Sequence, residues 1–186
     1  YGLGNIKSII RMLQKAGAPA KSISTPDEVH RSTKMILPGV GHFDSGMAHI
    51  KKCGLQAPLR IKVMEEKIPI LGICLGMQLL CLHSEEGVLP GLGFVEADVR
   101  SFDTNTEHKL KVPNMGWNTL NIVKDNNILC NNMESKFYFV HSYYVQCRIS
   151  SNILATAFYG DDFVAAFQSE NIYGVQFHPE KSHKYG

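Results

Sequence analysis

Net charge is nearly absent from this sequence: 19 Lys and Arg stand against 17 Asp and Glu, a formal charge of +2, and the basic residues are scattered. No basic stripe points to nucleic acid or an anionic membrane surface, so neither is expected as a partner. Long apolar runs are missing too. The most apolar stretch, residues 68–82, is interrupted by Pro69, Gly72, Gly76 and Gln78. It falls short of the about 18 to 20 apolar residues that a bilayer-spanning helix needs, and the first residues do not read as a signal peptide. The five cysteines, Cys53, Cys74, Cys81, Cys130 and Cys147, are odd in number and have no C-x-x-C spacing. That pattern excludes a disulfide-dense secreted scaffold and leads us to expect a reducing, cytoplasmic setting. His30, His42, His49, His83, His108 and His183 fall at no metal-ligand spacing, so no metal or other cofactor is expected. Without a repeat, a low-complexity tract or a long linker, the 186 residues are expected to form one domain with one sizeable core.

The first half alternates helical and strand-like periodicity. "NIKSIIRMLQKAG" puts Ile6, Ile9, Ile10 and Leu13 on one helical face and stops at Gly17. A short helix capped by Thr25, with Pro26 at its first position, precedes the buried strand "KMILPG". A helical stretch from Asp44 to Lys67, broken near Gly54 and Pro58, leads to the strand "IPILGI" and the helix "CLGMQLLCLH". From Gly91 onward the texture is strand after strand: "GFVEADVRSF", "NTLNIV", "KFYFVHSYYVQ", "ILATAFYG", "FVAAFQ" and "IYGVQFHP". The expected fold is α/β, a single domain with a central mixed, mostly parallel sheet flanked by helices.

Chemistry concentrates at "GICLG". Gly72-Ile73-Cys74-Leu75-Gly76 has the G-x-nucleophile-x-G form of a nucleophile elbow, with cysteine at the reactive position. A Cβ two residues before or after such a turn would collide with it, which is the reason for both glycines. The turn pushes the sulfur out from the sheet, the helix start favours negative charge there, and the Leu75 amide points where an oxyanion would form. Cys53, Cys81, Cys130 and Cys147 lack such surroundings and read as structural.

A cysteine nucleophile needs a base. His178 in "YGVQFHPEKS" ends an apolar strand and is followed two residues later by Glu180, which in extended backbone lies on the same side. This is a cysteine, base and orienting-carboxylate arrangement. His141 in "FVHSYYV" is the rival base, but no carboxylate follows it closely. "LPGVGHF" follows a strand and lacks the lysine and hydroxyl of a phosphate loop; it suits an oxyanion donor better. "GLGN" and "GLGF" read as turns. The loop "VPNMGWNTL" carries the only tryptophan, Trp117, and fits either a lid or a contact with a second protein.

With these motifs in view, the chain resembles the class I glutamine amidotransferases. "GICLGMQLL" and "GVQFHPEKS" carry the resemblance, and "LPGVGHF", "VPNMGWN" and "FYFVHSYYV" narrow it to the glutaminase subunits of imidazole glycerol phosphate synthase. The resemblance implies glutamine hydrolysis, with ammonia passed to a separate barrel-shaped cyclase subunit in a heterodimer. It implies Cys74 as nucleophile, His178 as base and acid, and Glu180 as orienting carboxylate. It further implies an oxyanion hole from Gly39, Val40 and Leu75, and glutamine contacts from Gly41, Gln78, Glu86, His141, Ser142 and Tyr143. Asn5, Met115, Trp117 and Tyr138 would lie toward the partner. Two departures stand out. Relatives begin with a strand before "YGLGN" and continue into a helix after "HPEKS", so the chain is expected to lack both. Asn114 stands where many histidine-pathway members carry histidine, which keeps open a paralogue that feeds a related barrel protein in surface-sugar biosynthesis. The remaining alternatives are a non-catalytic module of the same fold and a stand-alone cysteine hydrolase or peptidase on a similar sheet, which would share the elbow but not "PNMGWN" and "FYFVHSYYV".

Overall fold

The computed structural model describes residues 2, 4–104, 110–129 and 136–186; Cys130 and His108 lie outside them. Helix α1 (Ile6–Lys15) is amphipathic and ends before Gly17, whose φ is +74°. Helix α2 (Pro26–His30) opens with the expected cap. The Thr25 hydroxyl accepts from the Glu28 amide and the Glu28 carboxylate accepts from the Thr25 amide, satisfying two orphan donors. Strand β1 (Met35–Gly39) follows, then α3 (Phe43–Lys52). The expected long helix breaks at Gly54 (φ +66°) but not at Pro58. Pro58 sits in the first turn of α4 (Gln56–Arg60), where its missing N–H costs nothing. The chain then widens into a π turn, Ile61–Glu65.

Strand β2 (Ile70–Cys74) runs straight into α5 (Leu75–Leu79). This helix is shorter than its apolar run suggested. The carbonyls of Leu79, Leu80, Cys81 and Leu82 accept from amides of residues 91–95 instead of continuing the helical ladder, and His83–Ser84 becomes strand β3. The remaining strands are β4 (Ala97–Ser101), β5 (Asn114–Thr119), β6 (Asn121–Ile122), β7 (Lys136–His141), β8 (Tyr143–Cys147), β9 (Ile153–Tyr159), β10 (Asp161–Ser169) and β11 (Ile172–Val175).

The main sheet runs β1-β2-β11-β10-β8-β4-β3, with β9 also on β10 and β6 on β9. The mixed α/β architecture is the expected one. Its parallel pairing is narrower than expected, confined to β1–β2–β11 and β3–β4, while β10 pairs antiparallel with β11, β8 and β9. Parallel neighbours need crossover segments, and α3 and α4 lie in the one between β1 and β2; β9–β10 and β10–β11 turn back at Gly160 and at Glu170-Asn171 and so pair antiparallel. Two expectations are corrected by the ribbon β5–β7. "VPNMGWNTL" is not a loop, since residues 114–119 pair with β7. "KFYFVHSYYVQ" is not one strand, because it bends at Ser142 and its halves join different sheets. Among the described residues no helix is long and apolar enough to cross a membrane, and Cys53, Cys74, Cys81 and Cys147 are free thiols.

The β2–α5 turn is packed against β1 with no room for a side chain. A Cβ on Gly76 would stand 1.7 Å from the Leu37 carbonyl oxygen, and one on Gly72 would stand 2.7 Å from the Gly76 oxygen and the Met77 nitrogen. Both glycines are therefore demanded by contact. Gly76→Ala is expected to cost more than ~3 kcal/mol in urea unfolding or to leave the protein insoluble. Gly17→Ala, at φ +74° but with open space around it, should cost only about 1 to 2 kcal/mol.

Candidate active site

Cys74 closes β2 and sits at φ +54°, ψ −115°. A non-glycine residue there is strained, and such strain persists only where the surroundings over-determine it. Parallel register places Gly39 of β1 directly beside Cys74, so the segment Gly39-Val40-Gly41 leaves the sheet next to the sulfur. Val40 is 41% exposed and Gly41 has φ +99°. The Leu75 amide opens α5 on the other side of the elbow. Cys74 itself is 6% exposed. Its Sγ lies 3.8 Å from the Val140 carbonyl oxygen, to which the thiol donates, and 3.7 Å from Gln176 Nε2.

His178 is brought to the same end of the sheet by β11, the parallel neighbour of β2. It is 1% exposed, and its Nδ1 lies 2.8 Å from Glu180 Oε1. The pairing arises differently from the extended geometry expected. Pro179 starts a 3₁₀ turn, Pro179–Lys181, and that turn swings Glu180 back onto the ring. Ser182, fully buried, locks the turn: its hydroxyl donates to the His178 carbonyl at 2.7 Å and accepts from the Tyr138 amide at 3.0 Å. The His178 amide donates to the Tyr138 carbonyl. One edge of β7 thus offers its Tyr138 carbonyl to His178 and its Val140 carbonyl to Cys74. His178 Nε2 has no hydrogen-bond partner and interacts electrostatically with Cys74.

Burial alone would lower the His178 pKa, but the Cys74 sulfur and the Glu180 carboxylate favour the charged ring strongly enough to raise it to about 9. His141 goes the other way, to about 4, because it is buried among Phe102, Phe139 and Phe163. Its Nδ1 meets the Tyr143 carbonyl at 2.8 Å and its Nε2 meets Asn114 Nδ2 at 3.0 Å. Both ring nitrogens are spent on protein groups, which removes His141 as a rival base and as a direct ligand contact.

The other expected residues divide. Gln78 is buried, and its two N–H groups go to the Tyr143 carbonyl at 3.0 Å and to Gln176 Oε1 at 3.1 Å; only its own oxygen is left for a ligand. Glu86 Oε2 accepts from the Phe43 amide at 2.8 Å, tying it to the start of α3 just after Gly41. Asp44 accepts from the Val88 and Leu89 amides and holds the same loop. Ser142 occupies the bend between β7 and β8. Trp117 pairs with Tyr138 across the ribbon, stacks on His183 at 5.7 Å and lies edge-on to Tyr185. Met115 and Trp117 are 64% and 42% exposed. Asn5 precedes α1, which packs against the Pro179–Lys181 turn. Gln176 and Ser182 were missed. Gln176 had left a signal, a polar residue inside the otherwise apolar "IYGVQF"; Ser182 left none, since the Tyr138 amide that it ties to the turn is 44 residues away.

Among the described residues no cluster of His, Cys, Asp and Glu could hold a metal ion. A cavity of about 690 Å³ lies between α1 and the outer strands, lined by groups such as Ile6, Ile10, Ile36 and Leu71. It includes neither Cys74 nor His178 and brings no catalytic groups together.

The two histidines set opposite limits on stability. The folded chain holds the His178 proton more tightly than the unfolded chain, so this contribution is complete below about pH 6.5 and disappears as pH rises through about 9. His141 is kept neutral by folding, so its environment favours the folded state fully above about pH 6.5 and less as pH falls through about 4. Each is worth on the order of 3 kcal/mol. Unfolding free energy measured in urea is expected to peak near pH 6.5, and Glu180→Gln should flatten its alkaline side.

Comparison with known proteins places the chain in a family. A family model described as glutamine amidotransferase class-I matches residues 1–186. "Imidazole glycerol phosphate synthase subunit HisH 2" of Methanococcus maripaludis is 51% identical over 187 residues, covering 100% of this chain and 92% of that protein. The protein of the same name from Pseudomonas aeruginosa is 46% identical with the same coverage, and the HisH subunit of Leptospira interrogans is 42% identical, also covering 100% and 92%. Among solved structures, PurLQS from Thermotoga maritima superimposes with a TM-score of 0.70 at 17% identity, over 97% of this chain and 84% of that one. A structure titled as a glutamine amidotransferase gives 0.69 at 19%, over 96% and 87%; these two support the fold. The chain belongs to the class I glutamine amidotransferases.

Proposed function

We propose that this enzyme hydrolyses glutamine to glutamate and ammonia through a thioester on Cys74. The ammonia passes to the cyclase barrel subunit of an imidazole glycerol phosphate synthase, its partner in a heterodimer in histidine biosynthesis. The observation that carries the reading is a thiol at a strained strand-to-helix elbow, coupled to a buried histidine whose other nitrogen is 2.8 Å from a carboxylate.

The chemistry follows from these groups. The Cys74 sulfur attacks the side-chain amide carbon of glutamine, and the resulting oxyanion is met by the Leu75 amide and by amides of Gly39 and Val40. His178, protonated and oriented by Glu180, gives its proton to the leaving nitrogen; ammonia departs and a thioester remains. His178 then takes a proton from water, which attacks the thioester carbonyl, and collapse returns the electron pair to sulfur and releases glutamate. Gly41, the Gln78 oxygen, Glu86, Ser142 and Tyr143 hold the glutamine. His141 contributes by bracing the Tyr143 backbone.

Free ammonia would be protonated and lost in bulk water, which favours transfer to an attached acceptor. The ribbon face of Met115 and Trp117, exposed and apolar, with the half-buried Tyr138 between it and His178, is the proposed docking surface, with Asn5 at its margin. Two relatives' names, each a synthase subunit, support that partner. The absence of a membrane-crossing helix among the described residues is consistent with a cytoplasmic setting.

Glutaminase activity assayed with the cyclase subunit should fall at least ~1000-fold in Cys74→Ala. Cys81→Ser, a change at a buried thiol that donates to its own helix, should retain activity within about threefold. Equal loss in both would remove Cys74 from its role. Trp117→Ala should weaken association with the cyclase about tenfold or more, read by titration calorimetry. Binding to a barrel protein of surface-sugar biosynthesis, but not to the cyclase, would reassign the acceptor while leaving the glutaminase chemistry intact.

A further inference from the structure

We infer that Gln176 is the residue that holds the negative charge on Cys74, through a side-chain N–H whose direction is fixed by a backbone carbonyl two hydrogen bonds away. The inference rests on the reading of Cys74 as nucleophile and adds a group that reading does not contain.

Gln176 follows β11, two residues before His178, and is completely buried. Its backbone amide is used by the Ala165 carbonyl, so its side chain must find partners of its own in the interior. The direction of each amide follows from the Tyr143 carbonyl oxygen, which can only accept. Two groups reach it: His141 Nδ1 at 2.8 Å and Gln78 Nε2 at 3.0 Å, and both must therefore donate. With its proton on Nδ1, neutral His141 accepts at Nε2 from Asn114. With its N–H groups so oriented, Gln78 gives its second hydrogen to Gln176 Oε1 at 3.1 Å. That leaves the Gln176 NH₂ facing Cys74 Sγ at 3.7 Å, as a donor. Turning either glutamine amide over would set oxygen against oxygen or N–H against N–H between two side chains that are almost wholly buried.

The sulfur consequently has two neutral neighbours of opposite character. The Val140 carbonyl, 3.8 Å away, can accept from the thiol but repels a thiolate. Gln176 can donate to either and binds the charged form more strongly. A thiolate in a position 6% exposed carries a desolvation cost that only donors offset. The charge on His178 also favours the thiolate, but the His178 proton leaves with ammonia during turnover. The Gln176 N–H carries no labile charge and stays in place, both when the sulfur attacks and when thioester collapse returns the electron pair to it.

The test is the pH dependence of iodoacetamide alkylation of Cys74 in the full chain, read on the Cys74 peptide by mass spectrometry. Turnover of glutamine is measured beside it with the cyclase subunit present. In Gln176→Leu and Gln176→Met, which remove the donor, the alkylation midpoint should move upward by about one to two pH units, the size of a hydrogen bond to a charged group. The kcat should fall about 10- to 100-fold, with KM for glutamine changing by less than about threefold. A purely packing role would lower thermal stability without moving the midpoint. In the unsubstituted protein, the ¹⁵N side-chain signal of Gln176 should titrate with the same midpoint as Cys74 alkylation, a measurement that needs no variant to fold. A Gln176 signal that does not titrate, or folded variants with an unmoved midpoint, overturns the inference. Full turnover in Cys74→Ala would instead overturn the nucleophile reading, whatever Gln176 does.

Discussion

The contact between Gly76 and the Leu37 carbonyl is the constraint on which the rest depends. It lets the first turn of α5 lie against β1, and Cys74, which joins β2 to a helix packed so closely, sits at positive φ. The strain at Cys74 is sustained by burial around the turn: Leu75, Met77, Leu79 and Leu80 are almost inaccessible. A wider turn would relax the backbone and let the sulfur sink toward the core.

The second constraint is electrostatic. His178 and Glu180 are buried together, and Glu180 Oε2 has no hydrogen-bond partner. An ion pair in that setting is a poor source of stability, since desolvating two charges offsets much of their attraction. What it secures is orientation. One ring nitrogen is committed to the carboxylate, the His178 backbone is pinned through Ser182 and Tyr138, and the remaining nitrogen is directed to the sulfur side. Glu180 reaches the ring through a 3₁₀ turn, so the spacing of two residues works even though the extended geometry behind the expectation does not occur.

The two halves of the sheet divide the labour. The parallel strands β1, β2 and β11 align their ends so that Gly39, Cys74 and His178 gather at one rim, in keeping with the tendency of α/β sheets to place chemistry beyond strand ends. The antiparallel half brings β7 and β8 past that rim, and the ribbon β5–β7 faces the site along one edge and presents Met115 and Trp117 outward. Strand β7 therefore reaches both catalytic residues through its backbone carbonyls, while its ribbon partner β5 carries the exposed Met115 and Trp117.

Local pattern alone was enough for the elbow, because G-x-C-x-G between an apolar strand and an apolar helix has few physical solutions. It was also enough for the Thr25 cap, the break at Gly54, the pairing of His178 with Glu180 and the α/β class. Pattern could not say that α5 stops at Leu79, since what ends it is a set of amides from residues 91–95 competing for the same carbonyls. Nor could it say that the Trp117 segment is a strand, because ribbon pairing depends on a partner about twenty residues away, or that "KFYFVHSYYVQ" divides between two sheets. The occupied ring of His141 and the donor that Gln176 turns toward Cys74 belong to the same class. Hydrogen-bond direction in a buried network is decided by which acceptor the fold brings within reach, and that is a property of three dimensions.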